Sequence, residues 1–495
     1  MSDRLSSADA AWLHMDRPTN LMVINTVLLF DEPLDWDRVK QLTQERLVDR
    51  YPKFRQRVVE SRLPLRPPKW EDDPDFALEH HMHHLALPEP GDAGALQALV
   101  GDLMTMPLDR NRPLWHDYMV DGFGDGAALI VRMHHCLADG IALARVMLSL
   151  ADPQPDAAIR RTPRRKPRSS HGLTVGGVTI PGSRPLEQVL RTGSAAVTQA
   201  AHIATSPRHA ARLAGAITRD TATGVRLLLT PADAASAIKG DPGISRRVAW
   251  SNPLSLQEVK RVAHAHDATV NDVLLACVSG ALRHYLQDRD SPVSEIQAMV
   301  PFNLRPLDEP LPRELGNKFG LVFLPLPVGV SGAYRRLLEV HKRMSEIKAS
   351  HEGEVSYGLL SITGMTPEPV ERRIVDLFTA KGTAVMTNVP GPEEVVYFAG
   401  TPVRTVLVWA PTSGHIGMSV SIFSYRGEVT AGLMVDAALI PDPGTIVTKL
   451  ERELSELREL SPTSSSHRAR RPRAARTSRR PGQAAGGRRD PHVTR

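Results

Sequence analysis

Hydrophobic and polar positions follow two different periods in the first part of the chain. The run MVINTVLLF at residues 22–30 is almost continuously apolar, as in a buried strand, whereas DWDRVKQLTQERL at residues 35–47 repeats its apolar residues at helical spacing. A helix that follows a buried strand is typical of a layered α/β unit. The pattern therefore predicts an α/β domain over residues 1–152.

The same alternation returns at about residue 246 and ends near residue 460. Ser255 and Glu258 form an S-x-x-E capping box at the start of one predicted helix, and Thr269 caps a second helix whose apolar positions continue to Tyr285. Strand-like runs follow, separated by Pro and Gly turns, at residues 296–300, 321–326, 403–409, 416–423 and 429–435. We predict a second sheet-containing domain over residues 246–460.

The segment between the two domains has a different composition. It opens with PQPDAAIRRTPRRKPR at residues 153–168, which cannot form a core, and residues 185–228 resemble amphipathic helices with interspersed arginines. Such helices pack on the parent domain or lie on a lipid surface. We interpret residues 153–245 as a basic linker and helical crossover.

Composition places the chain among soluble globular proteins and assigns its basic character to one end. Of its 495 residues, 41% are hydrophobic and 23% charged, which excludes collagen-like and wholly disordered chains. Residues 461–495 contain ten arginines and one aspartate, a net +9 against +6 for the whole chain, so residues 1–460 carry −3. This Arg/Ser-rich tail is predicted to be disordered. The tail is either passively solvated or binds anionic lipid or nucleic acid. For the protein as a whole, no nucleic-acid partner is expected.

Cysteine content and hydropathy indicate a cytoplasmic protein. Cys136 and Cys277 are the two cysteines, which excludes a disulfide scaffold and a Cys-built zinc module. The first twenty residues contain no unbroken apolar run of the secretory type, and no stretch approaches the roughly 18 apolar residues of a membrane span.

Two adjacent histidines stand between a strand pattern and a helix pattern. In ALIVRMHHCLADGIALARVMLSL, residues 128–150, His134 and His135 follow a buried strand and precede a helix, where an α/β core presents reactive groups to a crevice. A histidine with a pKa of roughly 6.5 can accept a proton at neutral pH. Asp139 supplies a carboxylate that can brace the loop, and Gly140 permits a tight turn. Buried polar residues that merely close a strand are the alternative interpretation, but this spacing favours chemistry.

These residues resemble the HHxxxDG superfamily of CoA-dependent acyltransferases, and more narrowly the bacterial wax ester synthase/diacylglycerol acyltransferase family. The narrower resemblance rests on blocks in family order along most of the chain up to about residue 440. They are LSSADAAWLHMDRPTN near the N-terminus, PLDRNRPLW ending at Trp115, NDVLLA at residues 271–276, PFNLRP at 301–306 and TNVPGP at 387–392.

The resemblance implies a fold of two chloramphenicol-acetyltransferase-like halves, each a mixed sheet flanked by helices, with the active-site tunnel between them. It implies that His135 is the general base, with His134 beside it, and that an acceptor hydroxyl attacks an acyl-CoA thioester without an acyl-enzyme. Asp139 is then a structural residue paired with an arginine from the second half, for which Arg305 is the candidate, although a surface arginine between two prolines is the alternative. Acyl-CoA is a substrate, and no cofactor or metal is expected.

Five further residues are candidates for contact with substrate. Gly140 and Trp115 are expected near the tunnel, although Trp115 is equally well interpreted as a core anchor. Asn271 and Asp272 either cap their helix or contribute to the site. Asn388 lies on a loop expected near the acyl chain, although the flanking prolines alone explain a rigid turn.

Other possible sites are weaker. The run HHMHH at residues 80–84 lacks the separated ligand pairs typical of zinc sites, and adjacent histidines on a strand point to opposite faces. Cys136 lies beside His135, but transfer to a hydroxyl needs no protein nucleophile. No glycine-rich phosphate loop follows a strand, so nucleotide triphosphates and dinucleotides are not indicated.

The expected function is O-acylation of diacylglycerol to triacylglycerol by a long-chain acyl-CoA, and of fatty alcohols to wax esters. Because both substrates partition into lipid, contact with the inner membrane surface or with lipid droplets is also expected. The alternatives are a non-catalytic lipid-binding paralogue and a condensation-type acyltransferase with another acceptor.

Overall fold

The predicted mixed α/β architecture is confirmed by a computed structural model, which describes residues 4–61, 67–155, 231–303, 315–317, 319–348, 356 and 368–461. The helices are α1 Ser7–His14, α2 Trp36–Leu42, α3 Ala93–Thr105, α4 Gly140–Leu150, α5 Leu256–Ala265, α6 Val270–Gln287, α7 Ala333–Lys348, α8 Glu368–Thr379 and α9 Pro443–Leu460. The strands are β1 Val23–Phe30, β2 Gln56–Val59, β3 Lys69–Asp72, β4 Met82–Ala86, β5 Trp115–Phe123, β6 Gly126–His134, β7 Arg246–Trp250, β8 Leu254–Ser255, β9 Ile296–Asn303, β10 Phe319–Leu326, β11 Ala384–Pro390, β12 Tyr397–Phe398, β13 Thr401–Pro402, β14 Thr405–Trp409, β15 Met418–Tyr425 and β16 Glu428–Asp436.

The first sheet has five strands in the order β14-β1-β6-β5-β4. Strand β1 pairs antiparallel with both β14 and β6, whereas β4 and β5 are parallel. Every residue of β1 is buried, because Ile24 and Leu28 share a core with α4 while Val27 and Leu29 share another with α3. Burial on both faces explains why its sequence is apolar except at Asn25 and Thr26.

The second sheet has the order β10-β9-β11-β15-β16-β7, and β8 pairs with β16. Strand β11 runs parallel to β9 and β15, and the remaining pairs are antiparallel. Residues of helices α5, α6, α7 and α9 share one hydrophobic core with residues of β9, β10, β11, β15 and β16. Thr269 caps α6 through a reciprocal capping box with Asp272, and the Ser255 hydroxyl accepts the Glu258 amide at the start of α5, so both predicted helix starts are confirmed.

The two halves are joined more closely than a boundary near residue 246 suggests. Strand β14 belongs to the second half of the chain, but it completes the first sheet, with Leu28 opposite Val406. Helix α3 of the first half packs against β7, where a Cβ added to Gly101 would lie 2.8 Å from the Arg246 carbonyl oxygen. Only glycine allows this approach. Most of the predicted crossover (residues 156–230) and the tail (residues 462–495) lie outside the described residues.

Candidate active site

The turn between β6 and α4 places His135 where the two halves meet. Strand β6 ends at His134, whose amide donates to the Leu114 carbonyl at 3.0 Å, and the His135 amide donates to the Met22 carbonyl at 2.7 Å. Both histidines are buried, at 1% and 5% exposure. The predicted position between a strand and a helix is therefore correct, and the turn lies inside the protein.

Aromatic rings hold the His135 imidazole from both halves. Trp12 of α1 stacks on it with ring centroids 4.1 Å apart and an interplanar angle of 18°. Phe319, at the start of β10, lies 5.5 Å from the imidazole and 5.7 Å from the Trp12 ring. Stacking of this kind restricts the imidazole to a narrow range of orientations.

A polar network lies behind this turn. The Asn317 side-chain amide donates to the His135 carbonyl oxygen at 2.8 Å and to the Asp9 carboxylate at 2.7 Å. The Lys53 ammonium donates to the Leu137 carbonyl oxygen at 3.2 Å and lies 3.5 Å from Asp9. Residues of α1, of the segment before β10 and of a short helix after α2 thus converge on the histidine turn.

His134 has contacts that belong to the turn itself. Its Nδ1 accepts the Cys136 amide at 3.1 Å, so in the neutral ring the proton is on Nε2, which lies 3.9 Å from Asp16. Asp16 accepts hydrogen bonds from the Met22 amide at 2.8 Å and from the Arg110 guanidinium at 3.4 Å. These contacts hold the turn to the loop that follows α1.

Burial keeps both histidines neutral at physiological pH. It lowers the pKa of His134 to about 3 and that of His135 to about 4, because the charged imidazolium loses its hydration inside the protein. At His135 its own carbonyl, the Asn317 side chain and the charge of Asp9 raise the pKa and so act against burial. A neutral imidazole with its Nδ1 buried against the protein can accept a proton at Nε2.

Two family models match the chain. The wax ester synthase/diacylglycerol acyltransferase catalytic domain matches residues 5–274, and the WS/DGAT C-terminal domain matches residues 315–458. The chain belongs to the wax ester synthase/diacylglycerol acyltransferase family. A probable diacylglycerol O-acyltransferase, tgs1, of Mycobacterium tuberculosis is 30% identical over 81% of this chain and 84% of its own length. A second putative diacylglycerol O-acyltransferase of that species is 28% identical over 94% and 92%.

Solved structures share the fold. The wax ester synthase/diacylglycerol acyltransferase of Marinobacter aquaeolei VT8 superposes with a TM-score of 0.64 at 24% identity, covering 92% of this chain and 99% of that one. The starter condensation domain of rhizomide synthetase, solved with C8-CoA and Leu-SNAC, gives 0.55 at 14% identity over 93% and 94%. The acyltransferase class and the fold expected from the sequence are confirmed.

The family motif also caps a helix. Asp139 is the N-cap of α4, and its carboxylate accepts the Ala142 amide at 2.7 Å. Arg305 lies outside the described residues, so its pairing with Asp139 stays a prediction. The tight turn expected at Gly140 is wrong, because the turn lies earlier, where the Leu137 amide donates to the His134 carbonyl, and Gly140 is the first residue of α4. A Cβ on Gly140 would meet only Ile24, at 4.0 Å. Contact of Gly140 with substrate stays a prediction.

Trp115 and Asp272 have the contacts of structural residues. Trp115 is fully buried, donates to the Phe54 carbonyl at 2.8 Å and stacks on His81 at 4.7 Å, as a core anchor does. Asp272 accepts the Thr269 amide and, at 2.8 Å, a ring nitrogen of His341. The capping interpretation of Asp272 is correct. A role of either residue in substrate binding stays a prediction.

Asn271 and Asn388 are brought together by the fold. Asn388 lies in strand β11, opposite Ile422, so the loop expected there is wrong. Its side-chain amide donates to the Asn271 side-chain oxygen, at the start of α6, at 2.9 Å. The two residues are 117 positions apart and come from two different family blocks. Because the two side chains are hydrogen-bonded to each other, a test of substrate binding should substitute both. A role of Asn271 and Asn388 in substrate binding stays a prediction.

An apolar pocket lies on the α4 face of the first sheet. It is enclosed by side chains of β1, β14, α4 and β15, among them Leu28, Ala144, Met147, Val406, Val408 and Phe423. The cavity has a volume of about 20 Å³, which is room for about one water molecule, and His135 is not among its lining residues. It is therefore a packing void and is too small to hold an acyl chain.

Neither Cys136 nor the histidine run at residues 80–84 has the surroundings of a catalytic or metal site. Burial raises the pKa of the Cys136 thiol, which favours the protonated form and argues against a nucleophile. In the 80–84 run, His81 stacks on Trp115 and His83 contacts His116 across the strands at 2.9 Å. Within the described ranges, no group of three or more His, Cys, Asp or Glu side chains could hold a metal.

Sequence reasoning missed Trp12, Asp9, Lys53 and Asn317 as parts of this site. Two signals were available: the family block LSSADAAWLHMDRPTN contains Asp9 and Trp12, and Asp9 lies between alanines in a helix pattern, where a buried carboxylate needs polar partners. No local pattern indicates that its partner is Asn317, which is 308 positions away.

Proposed function

We propose that this acyltransferase transfers a long-chain acyl group from CoA to the hydroxyl of diacylglycerol, giving triacylglycerol, and also to fatty alcohols, giving wax esters. The observation that carries the proposal is the neutral, buried imidazole of His135, stacked on Trp12 at the meeting of the two halves. The relative from M. tuberculosis named as a probable diacylglycerol O-acyltransferase supports diacylglycerol as the acceptor.

In the proposed reaction, His135 Nε2 takes the proton of the acceptor hydroxyl as the oxygen attacks the thioester carbonyl carbon. A C–O bond forms and the carbonyl π electrons move to oxygen, giving a tetrahedral oxyanion. Its collapse breaks the C–S bond, and the CoA thiolate leaves and takes the proton from His135. The thiolate is a good leaving group because a thiol pKa is roughly 8.5. The histidine therefore begins and ends the cycle neutral.

The test is acceptor-dependent release of CoA thiol from palmitoyl-CoA, with diacylglycerol, hexadecanol or no acceptor. His135→Ala should abolish release, whereas the neighbouring Cys136→Ala should retain it, since that thiol is buried and protonated. Release stimulated by diacylglycerol establishes triacylglycerol synthesis, and preference for hexadecanol makes wax ester synthesis the main activity. No acceptor-dependent release with lipid substrates presented in vesicles or micelles would refute the proposal and favour a lipid-binding paralogue.

We also propose peripheral contact with the inner membrane surface or with lipid droplets, because both substrates partition into lipid. In the part of the chain that the structure describes, no helix is long and apolar enough to cross a bilayer. Flotation with vesicles of neutral and of anionic lipids tests this contact. Protein that stays at the bottom of the gradient with both compositions would contradict it.

A further inference from the structure

Both carbonyl oxygens that flank Cys136 in the histidine turn are held by side chains. The Asn317 amide donates to the carbonyl of His135, and the Lys53 ammonium donates to the carbonyl of Leu137. Both donors meet one carboxylate, that of Asp9. Its Oδ1 accepts from the Asn317 backbone amide at 3.0 Å and from the side-chain amide at 2.7 Å, and its Oδ2 faces Lys53.

This carboxylate is deeply buried. Asp9 is 3% exposed, Asn317 is 5% exposed, and the side chain of Lys53 is 13% exposed. Burial of a carboxylate costs several kcal/mol unless charge and hydrogen bonds compensate it. Helix α1 could bury an alanine here at no such cost, so the compensated charge indicates a specific role for Asp9 at this turn.

We propose that Asp9 is a positioning residue for acyl transfer, because its carboxylate holds Asn317 and Lys53 against the two carbonyls that fix the turn carrying His135. The inference rests on the proposed role of His135 as the base. The Asn317 side-chain nitrogen has two hydrogens, one directed to Asp9 and the other to His135. Asp9 therefore determines which way the amide faces, and a flipped amide would turn its oxygen toward the His135 carbonyl.

The consequence falls on the position of the base. The imidazole is stacked on Trp12 but is attached to the turn, so a turn that shifts moves the ring relative to the acceptor hydroxyl. Misplacement of a reacting group by about 1 Å costs about 100-fold in rate. A loss of this kind lowers kcat and changes the substrate KM little.

The experiment compares Asp9→Asn, Asn317→Asp and the double variant with wild type in the palmitoyl-CoA assay. Asp9→Asn should lower kcat by about 10- to 100-fold, with the KM for palmitoyl-CoA changed by less than about twofold. In the double variant an amide at position 9 can donate to a carboxylate at position 317, so the pair can reform. The hydrogen bond to the His135 carbonyl cannot, because a carboxylate does not donate. The double variant should therefore regain melting temperature without regaining kcat.

Ser6→Ala is the matched control. Ser6 caps the same helix by accepting the Asp9 amide at 3.1 Å, so this variant weakens α1 and leaves the carboxylate in place. It should lower the melting temperature and keep wild-type kcat.

Each outcome bears on a different claim. Any one of three results would overturn the positioning role of Asp9. They are a wild-type kcat in Asp9→Asn, a kcat loss in Ser6→Ala equal to that in Asp9→Asn, and recovery of kcat in the double variant. An inactive wild type would instead refute the proposed function, and this inference with it.

Discussion

Asp117, in the middle of β5, should make this protein less stable as the pH rises from 4 to 8. The residue is 2% exposed, one of its carboxylate oxygens is buried without a hydrogen-bond partner, and burial raises its pKa from 3.8 to about 8. The folded protein therefore keeps a proton that the unfolded chain has lost. Because the folded state binds more protons in this range, stability is highest below the unfolded pKa and declines until the pH passes the folded pKa.

The size of the effect follows from the two pKa values. At pH 7 the unfolded carboxyl is about 3 pH units above its pKa while the folded one is still protonated, and each unit corresponds to 1.36 kcal/mol, so the penalty is about 4 kcal/mol. Asp117→Asn carries no charge in either state and removes that penalty. Its amide retains an unmet hydrogen bond, as the protonated acid does, so we expect a gain of about 2 to 4 kcal/mol at pH 7 and almost none at pH 4.

The assay is urea unfolding of both proteins between pH 4 and pH 8, followed by tryptophan fluorescence and by circular dichroism. Coincident transitions from the two probes justify a free energy of unfolding for a chain of this length. Asp125→Asn, an exposed carboxylate in the turn after β5, is the control for loss of one charge and should match wild type throughout. A free-energy difference for Asp117→Asn that is the same at pH 4 and pH 8 would refute the reasoning.

Three other perturbations follow from the packing. Trp12→Ala removes the ring stacked on His135, so it should lower kcat in the palmitoyl-CoA assay and cost about 3 to 5 kcal/mol of stability in a thermal melt. Trp12→Phe keeps an aromatic ring and should keep most of the activity. Gly280→Ala would place a Cβ against the buried carboxylate of Glu453, so overpacking should cost about 1 to 3 kcal/mol despite the better helix propensity of alanine; an unchanged melting temperature would contradict this. Ala144→Leu should overpack the small cavity beside α4 and cost about 1 to 3 kcal/mol of stability; a melting temperature equal to that of wild type would argue against it.

Local patterns were sufficient for part of the secondary structure and for the position of the histidine turn. The mainly apolar run of β1, the caps at Ser255 and Thr269 and the strand runs after residue 296 each depend on neighbours in sequence, and all are present in the structure. Helices α3, α7, α8 and α9 were not predicted. The position of His135 between a strand and a helix depends on the same short-range information. Gly140 shows the limit of such reasoning, because its residue type suggested a turn there, whereas Gly140 is the first residue of α4 and the turn lies at residues 134–137.

The sequence by itself determined the strands and helices with a clear apolar period or cap, and the motif that shows the family, since the period of apolar residues and the capping side chains act within a few positions. Only the tertiary structure decided that Thr405–Trp409 completes the first sheet, because strand pairing across the chain depends on which surfaces are left to bury. It also decided that Asp9 meets Asn317, and that Trp12 and Phe319 enclose the His135 ring. A buried carboxylate needs partners, but the amino-acid pattern does not specify where in the chain they lie, and packing of the two halves brings them together.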